Sequence, residues 1–428
     1  MATNLTIKTD LDTFVPVYNP MELCVYEADA PTLALTDYKY IFDVYIEGVS
    51  SPAYKRYEVI PESVTDYGVV DISRYCEGYV YNALEDPTST VPFLLGANAT
   101  GQSSVIKVTV KYGYSYMNAG VYTVVADVVT GSAKYVWNGS LDWRTWVDNF
   151  DYTDYICNIT NGSAGQWLTT MKTHYVSLSN IGRMCVMTDT PTDIDRVVYE
   201  TYDSTGTLIA TNIKAITVAQ NLTTSRIYKV ATGPVTINNM TGGWISGGPN
   251  PIITASVSYY VAYLIDSAGN IASEEITFYL QEPCRYEQRR LHFVNQLGGW
   301  EAFNFNLKST ERREIERKGY KYDKYPIVTA GISRSVSDQS QVTNYVATQD
   351  YISLKSDFIT EAQNDWLKQL IESPEIYMEI TDATGAQNYY AVENIVGTSW
   401  VEKQTKNDKL FTMDVEIKLS QKNYRQRR

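Results

Sequence analysis

Along most of the first two thirds of the chain, apolar and polar residues alternate with a period of two, the pattern of strands that bury one face and wet the other. In Tyr38 to Glu47, YKYIFDVYIE, residues Tyr40, Phe42, Val44 and Ile46 share one face, while Asp43, Tyr45 and Glu47 share the other. Comparable runs at Met21 to Tyr26, Tyr54 to Ile60, Val105 to Tyr112 and Val121 to Val129 are separated by Pro, Gly and Ser/Thr clusters that form turns. Only Asp71 to Leu84, DISRYCEGYVYNAL, predicts a helix here, capped by Asp71 or Ser73. The spacing of these runs predicts a β-sandwich over residues 1–130.

A polar stretch follows in which Trp137, Trp143 and Trp146 crowd together, and residues 131–153 read as a connector with Ser140 or Asp142 capping a short helix. Beyond it, Val198 to Ala210 and Tyr260 to Ala272 resemble each other. Each carries alternating apolar residues, then Asp-Ser-x-Gly, then a returning strand, so each predicts a hairpin with its Gly in the left-handed turn position. The pair fits two hairpins of one Ig-like or fibronectin-like sandwich, or two small repeats, and residues 154–283 are assigned to this second β domain.

From Cys284 onward the pattern changes. A densely charged run, STERREIERKGYKYDKY, precedes strands around Pro326 to Ser333 and Val342 to Leu354. Asp357 to Ser373 then carries Ile359, Ala362, Trp366, Leu367, Leu370 and Ile371 at helical spacing, with Ser356 or Asp357 as cap and Ser373-Pro374 as stop. Strands at Glu375 to Ile380, Tyr389 to Ile395 and Lys409 to Leu419 complete an α+β module over 284–428. The expected fold is therefore mainly β: two Ig-like or fibronectin-like sandwiches in series, followed by a smaller α+β C-terminal module.

Charge sharpens that boundary. Residues 284–428 hold 21 Lys+Arg against 20 Asp+Glu, which leaves 15 against 29 for residues 1–283. The two parts face different neighbours. Tyrosine is the other compositional signal, with 36 Tyr against 10 Phe. The two rings bury similar area, but only Tyr needs a partner for its hydroxyl, so this chain keeps many half-buried aromatic sites of the kind found on wet sheet faces and at protein interfaces. Composition favours contact over catalysis.

The five cysteines lie far apart with no CxxC pair and read as free thiols of a reducing compartment. The polar start MATNLTIKTDLD and the absence of a long apolar run predict a product made in the cytoplasm without a leader and without membrane insertion.

Candidate chemistry is sparse. With two His, His174 and His292, and no HExxH or paired Cys, no metal site, cofactor or catalytic set is expected. His292, in LHFVN, reads as a strand residue with a satisfied hydrogen bond. The glycine-rich loop Thr241 to Pro251 lacks the Gly-Lys-Ser/Thr that holds a phosphate. Arg285, Arg289, Arg290 and the cluster at Arg312 to Lys318 are offset by interleaved glutamates, which argues against nucleic acid and for a solvated, ion-paired face or an interface to an acidic neighbour, with Glu314 and Lys318 at the helical i,i+4 spacing. Trp137, Trp143, Trp146 and Trp244 are candidate contacts for a glycan or a partner, the simpler reading of the first three being that they lock a domain joint. Arg289, Arg290, Trp300, Phe303, Phe305 and Trp366 form a candidate docking segment.

Several stretches together resemble a virion protein of tailed phages that infect Bacteroidetes, including crAss-like phages: YKYIFDVYIEG at Tyr38 to Gly48, GVVDISRY at Gly68 to Tyr75, RLHFVNQLGGWEAFNF at Arg290 to Phe305, and DWLKQLIESPEIYME at Asp365 to Glu379. The resemblance implies a bacteriophage structural protein of the tail, neck or collar, or baseplate, a homo-oligomer in the virion, contacting other virion proteins and carrying no reaction. The alternative expectation is a carbohydrate-binding adhesin or receptor-binding protein that meets host surface glycan from the same particle.

Overall fold

The computed structural model describes residues 4–28, 36–47, 53–84, 89, 93–95, 103–158, 164–189, 194–216, 226–247, 251–282, 285–321, 327–333, 335–336, 341–381, 384–395 and 411–425. The protein is mainly β, with 53% of the described residues in strands and 9% in helices. It divides into two compact units, one of Met1–Gln281 with Val294–Glu301, the other of Glu282–Phe293 with Ala302–Arg428.

The first unit opens with strands β1 (Leu5–Thr9), β2 (Phe14–Pro16), β3 (Glu22–Glu27), β4 (Thr36–Glu47), β5 (Ala53–Val59) and β6 (Gly68–Asp71), helix α1 (Ser73–Glu77), then β7 (Phe93–Leu95), β8 (Val105–Asn118), β9 (Val121–Thr130) and β10 (Lys134–Trp137). Two sheets, β1-β3-β6 and β2-β10-β8-β4-β5 with β9 added to β8, enclose one core. Tyr40, Phe42, Val44 and Ile46 of β4 point into it, as their alternation predicts, beside Ile106, Val108, Val110 and Tyr112 of β8. On the opposite face of β4, buried Asp43 accepts two hydrogen bonds from the Arg56 guanidinium at 2.7 and 2.8 Å and one from the Tyr54 hydroxyl at 2.8 Å. These three bonds, two of them from a cation, are what allow the carboxylate to stay buried.

The helix expected over Asp71 to Leu84 shrinks to Ser73–Glu77. Asp71 closes β6 instead, its side chain accepting from the backbone N–H groups of Ser73 and Met21 at 2.9 and 3.1 Å. Gly78 and Tyr79 turn the chain out of the helix, and Val80 bridges to Ser103.

The rest of this unit contains β11 (Thr173–Val176), β12 (Arg183–Met187), β13 (Arg196–Tyr202), β14 (Leu208–Ala215), β15 (Ile227–Ala231), α2 (Pro234–Asn238), β16 (Trp244–Ser246), β17 (Tyr259–Ile265) and β18 (Ile276–Leu280). A six-stranded sheet, β11-β18-β17-β13-β14-β16, faces a three-stranded one, β12-β15-β7, across a second core of Trp167, Val186, Tyr199, Tyr228, Val230, Tyr260, Leu264 and Phe278 among others. The two similar segments noted in the sequence are neighbours: β13 and β17 pair antiparallel. Gly206 and Gly269 occupy the left-handed region at φ +80 and +93. The third strand of the smaller sheet, β7, comes from the middle of the first sandwich-like region in sequence and pairs with β15 through Tyr228↔Leu95 and Val230↔Phe93.

The second unit holds most of β19 (Arg289–Val294) and β20 (Trp300–Phe305), then β21 (Thr310–Lys321), β22 (Ile327–Val328), β23 (Gly331–Ile332), β24 (Gln341–Lys355), α3 (Glu361–Glu372), β25 (Ile376–Thr381), β26 (Gln387–Ile395), β27 (Asp414–Leu419) and β28 (Asn423–Tyr424). Its main sheet runs β20-β19-β25-β26-β27-β24-β21, with β28 on β24. Helix α3 packs Trp366 against Phe293 and Phe303, ring centroids 5.6 and 6.0 Å apart. Its cap is Thr360, not Ser356 or Asp357: Thr360 and Gln363 form a reciprocal capping box. Asp357 instead bonds the Phe358 N–H, and Ser356 accepts from the N–H of Met413.

Candidate interaction surfaces

The indoles named in the sequence separate in the structure. Trp137 is fully buried at the end of β10, where its N–H donates to the Leu297 carbonyl at 3.1 Å. It shares a third apolar cluster with Phe14, Val105, Leu141, Ile156, Leu168, Met187 and Leu297, against which Trp146 and Phe150 also pack. This cluster joins the two sandwich-like halves of the first unit. Trp143 is 63% exposed. Asp142 starts the helical turn there, its carboxylate accepting from Arg144 N–H at 2.9 Å. Trp244 lies on β16, half-buried, with the Lys214 ammonium 5.0 Å from its ring. That ammonium donates to the carbonyls of Thr241 and Gly242, so the glycine-rich loop is pinned from beneath.

The segment Val294–Glu301 completes the joint. Trp300 is buried and donates to the Asn82 carbonyl, Asn295 donates to the Leu168 carbonyl at 2.7 Å, and Ser140 N–H donates to Gln296. Gly298 sits at φ +74 with the Asn138 carbonyl oxygen 2.1 Å from where a Cβ would stand, so only glycine fits.

The remaining candidates of the docking segment lie in the second unit and are mostly enclosed. Phe305 and Trp366 are buried and Phe303 is half-buried. Arg289 pairs with Glu287 and Glu311 at 3.1 and 3.3 Å. Arg290 is buried, bonding Asn304 at 2.8 Å and lying 3.5 Å from Glu379. The same carboxylate holds His292 Nε2 at 3.1 Å, and Tyr389 meets the imidazole edge to face. Burial pushes the His292 imidazole below its ordinary pKa, against the opposing pull of Glu379. Among the described residues no group of three or more His, Cys, Asp or Glu is placed to hold a metal ion, and no helix is long and apolar enough to cross a membrane.

Among the described residues three open surfaces stand out. The first is a row of side chains across the outer face of the six-stranded sheet. Tyr175, Tyr279, Tyr259 and Tyr202 stand directly opposite one another on β11, β18, β17 and β13, and Leu208 of β14 continues the line. Ring centroids are 5.8, 5.3 and 4.7 Å apart, and Tyr202 and Tyr259 are parallel to within 4°. Parallel rings this close turn their faces toward each other, so the row presents ring edges and hydroxyls to solvent. The Tyr202 and Tyr263 hydroxyls both donate to Glu200, at 2.5 and 3.1 Å. No sequence motif marks this row, since each Tyr comes from a different strand and only the register aligns them.

The second is the edge of the second unit's sheet. All twelve residues of β21 are exposed, on both faces. Before Tyr351 its partner β24 does not pair with β27, leaving a two-stranded ribbon roughly 30 Å long supported at its base by β28. Glu314 and Lys318 do not form the helical pair their spacing suggested. On a strand, residues two apart share a face, and Arg312 pairs with Glu314 while Lys318 pairs with Glu316 at 3.1 Å. Arg313 crosses to Asp350 at 2.9 Å, and Arg312 stacks over Tyr351.

The third is the outer edge of β9, which pairs with β8 alone. Val121, Tyr122 and Val124 are exposed there.

Comparison with known proteins finds no family model that matches the chain, and no curated protein that matches it.

Proposed function

We propose that this protein is a non-enzymatic structural component of a tailed phage virion, multimeric in the tail, neck or baseplate. The observation that carries the assembly reading is the β21–β24 ribbon. A two-stranded ribbon is marginal in water on its own, and here burial is confined to β24, at residues such as Val342 and Ala347. A chain that keeps one with twelve exposed residues keeps it for a neighbour to grip. The tyrosine row supports the same reading, since side chains with two rotatable angles and a polar tip supply contact area at low entropic cost. The phage placement rests on the resemblance of the four quoted stretches.

The test is the size distribution of the full-length protein beside a variant in which 317–346 is replaced by Asn-Gly, joining Glu316 to its partner Ala347. Defined oligomers that dissociate in the trimmed variant, with its thermal transition retained, are the expected result. A monomer at all concentrations that binds host surface polysaccharide would replace this reading with the adhesin, for which Trp143 offers an exposed indole.

A further inference from the structure

The β9 edge differs in kind from the β21 edge. Strand β21 carries eight charged residues in twelve, the usual protection of a sheet edge against unwanted pairing. Strand β9 reads VYTVVADVVT, with five valines and a single charge, Asp127, which Lys111 of β8 neutralises at 2.6 Å. Such an edge left bare in water is a template for another strand.

The hairpin fixes which groups face outward. Ala119 and Gly120, at φ 50 and 81, form a two-residue turn, so Asn118 and Val121 exchange hydrogen bonds across it. Pairs then alternate along the ladder. Tyr116 with Thr123 and Tyr114 with Val125 are bonded, whereas Tyr122 opposite Met117 and Val124 opposite Ser115 turn their N–H and C=O groups to the free side. No strand takes up those groups among the described residues: β1 lies near β9 but pairs with β3. The exposed side chains of Val121, Tyr122 and Val124 flank the same stretch, 65, 48 and 39% exposed.

We infer that this edge is a homotypic docking site, at which Tyr122 and Val124 pair antiparallel with the same strand of a second copy about a two-fold axis near Thr123. The inference rests on the assembly reading above and names one of its contacts. Open backbone donors and acceptors alternating at strand spacing select a strand as the occupant. Charge selects the same strand. In a pairing centred on Thr123, Tyr122 of each copy meets Val124 of the other, and Asp127 meets no carboxylate. The equivalent self-pairing of β21 centred on Ile315 is opposed: it sets Glu314 against Glu316, Arg313 against Arg317 and Arg312 against Lys318.

The experiment is sedimentation of the full-length protein over a concentration series, with amide exchange read at Tyr122 and Val124. Val124→Pro removes an outward N–H. Val124→Lys keeps the backbone and adds a charge, so a folding failure of the first variant leaves the second as the test. The expected result is a self-association constant weakened at least about tenfold in either folded variant, with the Tyr122 and Val124 amides of the unsubstituted protein gaining protection as concentration rises. Oligomers that persist unchanged in both variants would overturn the strand-edge contact while leaving assembly through other surfaces intact. A strict monomer without concentration-dependent protection would overturn both.

Discussion

Asn82 and Trp300 hold each other across 218 residues of sequence: the Trp300 indole N–H donates to the Asn82 backbone carbonyl at 2.8 Å, while the Asn82 side-chain amide donates to the Gly298 carbonyl at 2.6 Å. Both residues are buried. Neither group has water to fall back on, so each bond matters by what its loss would strand.

Trp300→Phe tests that directly. The ring remains apolar, but the Asn82 carbonyl loses its indole donor, and a stranded buried acceptor costs about 1–3 kcal/mol. A urea titration should show a lower midpoint with unchanged slope. An unchanged midpoint would mean that the joint repacks around the smaller ring.

His292 sets a pH dependence. Its folded pKa lies below the ordinary 6.5, chiefly because it is buried, with Arg290, Glu379, Tyr377 and Tyr389 around it. The unfolded chain therefore takes up a proton near pH 6.5 that the folded chain refuses. Stability is intact above that value and declines as pH falls below it toward the folded pKa. In His292→Gln this part of the slope should vanish, measured as the denaturation midpoint between about pH 7 and pH 5. A slope identical in both proteins would assign it to other groups.

The tyrosine row predicts coupling between neighbours. Tyr202 and Tyr259, parallel and 4.7 Å apart, should show an interaction of about 0.5–1.5 kcal/mol in a double-mutant cycle with alanine. Tyr175 and Tyr202, at separate places in the row, should be additive. Additivity in both pairs would make the row a coincidence of register.

The core strands were legible from the face each turns to the core: in β4 Tyr40, Phe42, Val44 and Ile46 are all buried, whereas the burial of Ile41 and Asp43 on the opposite face does not follow from the alternation. What escaped depends on partners distant in sequence. The charged run from Thr310 has a spacing that suits a helix, but pairing with β24 decides its conformation. Trp137, Trp143 and Trp146 look like one cluster on paper, yet the strand turns Trp137 inward and the following helical turn leaves Trp143 in solvent. The tyrosine row was visible only as a surplus of Tyr, because no single strand carries more than one member of it. His292 was read as a strand residue with a satisfied bond, and its partner Glu379, on another strand, could not be named from spacing.

The assignment of Val294–Glu301 to the first unit also bears on synthesis. When the ribosome has delivered Gln281, the first unit still lacks the residues that donate to Asn82 and Leu168 and that accept from Trp137. They emerge only after β19 has been made, a delay on the order of seconds at roughly 5–20 residues per second. Until then the nascent chain carries an open seam between its two β layers, and closing that seam waits on the first strand of the unit that follows.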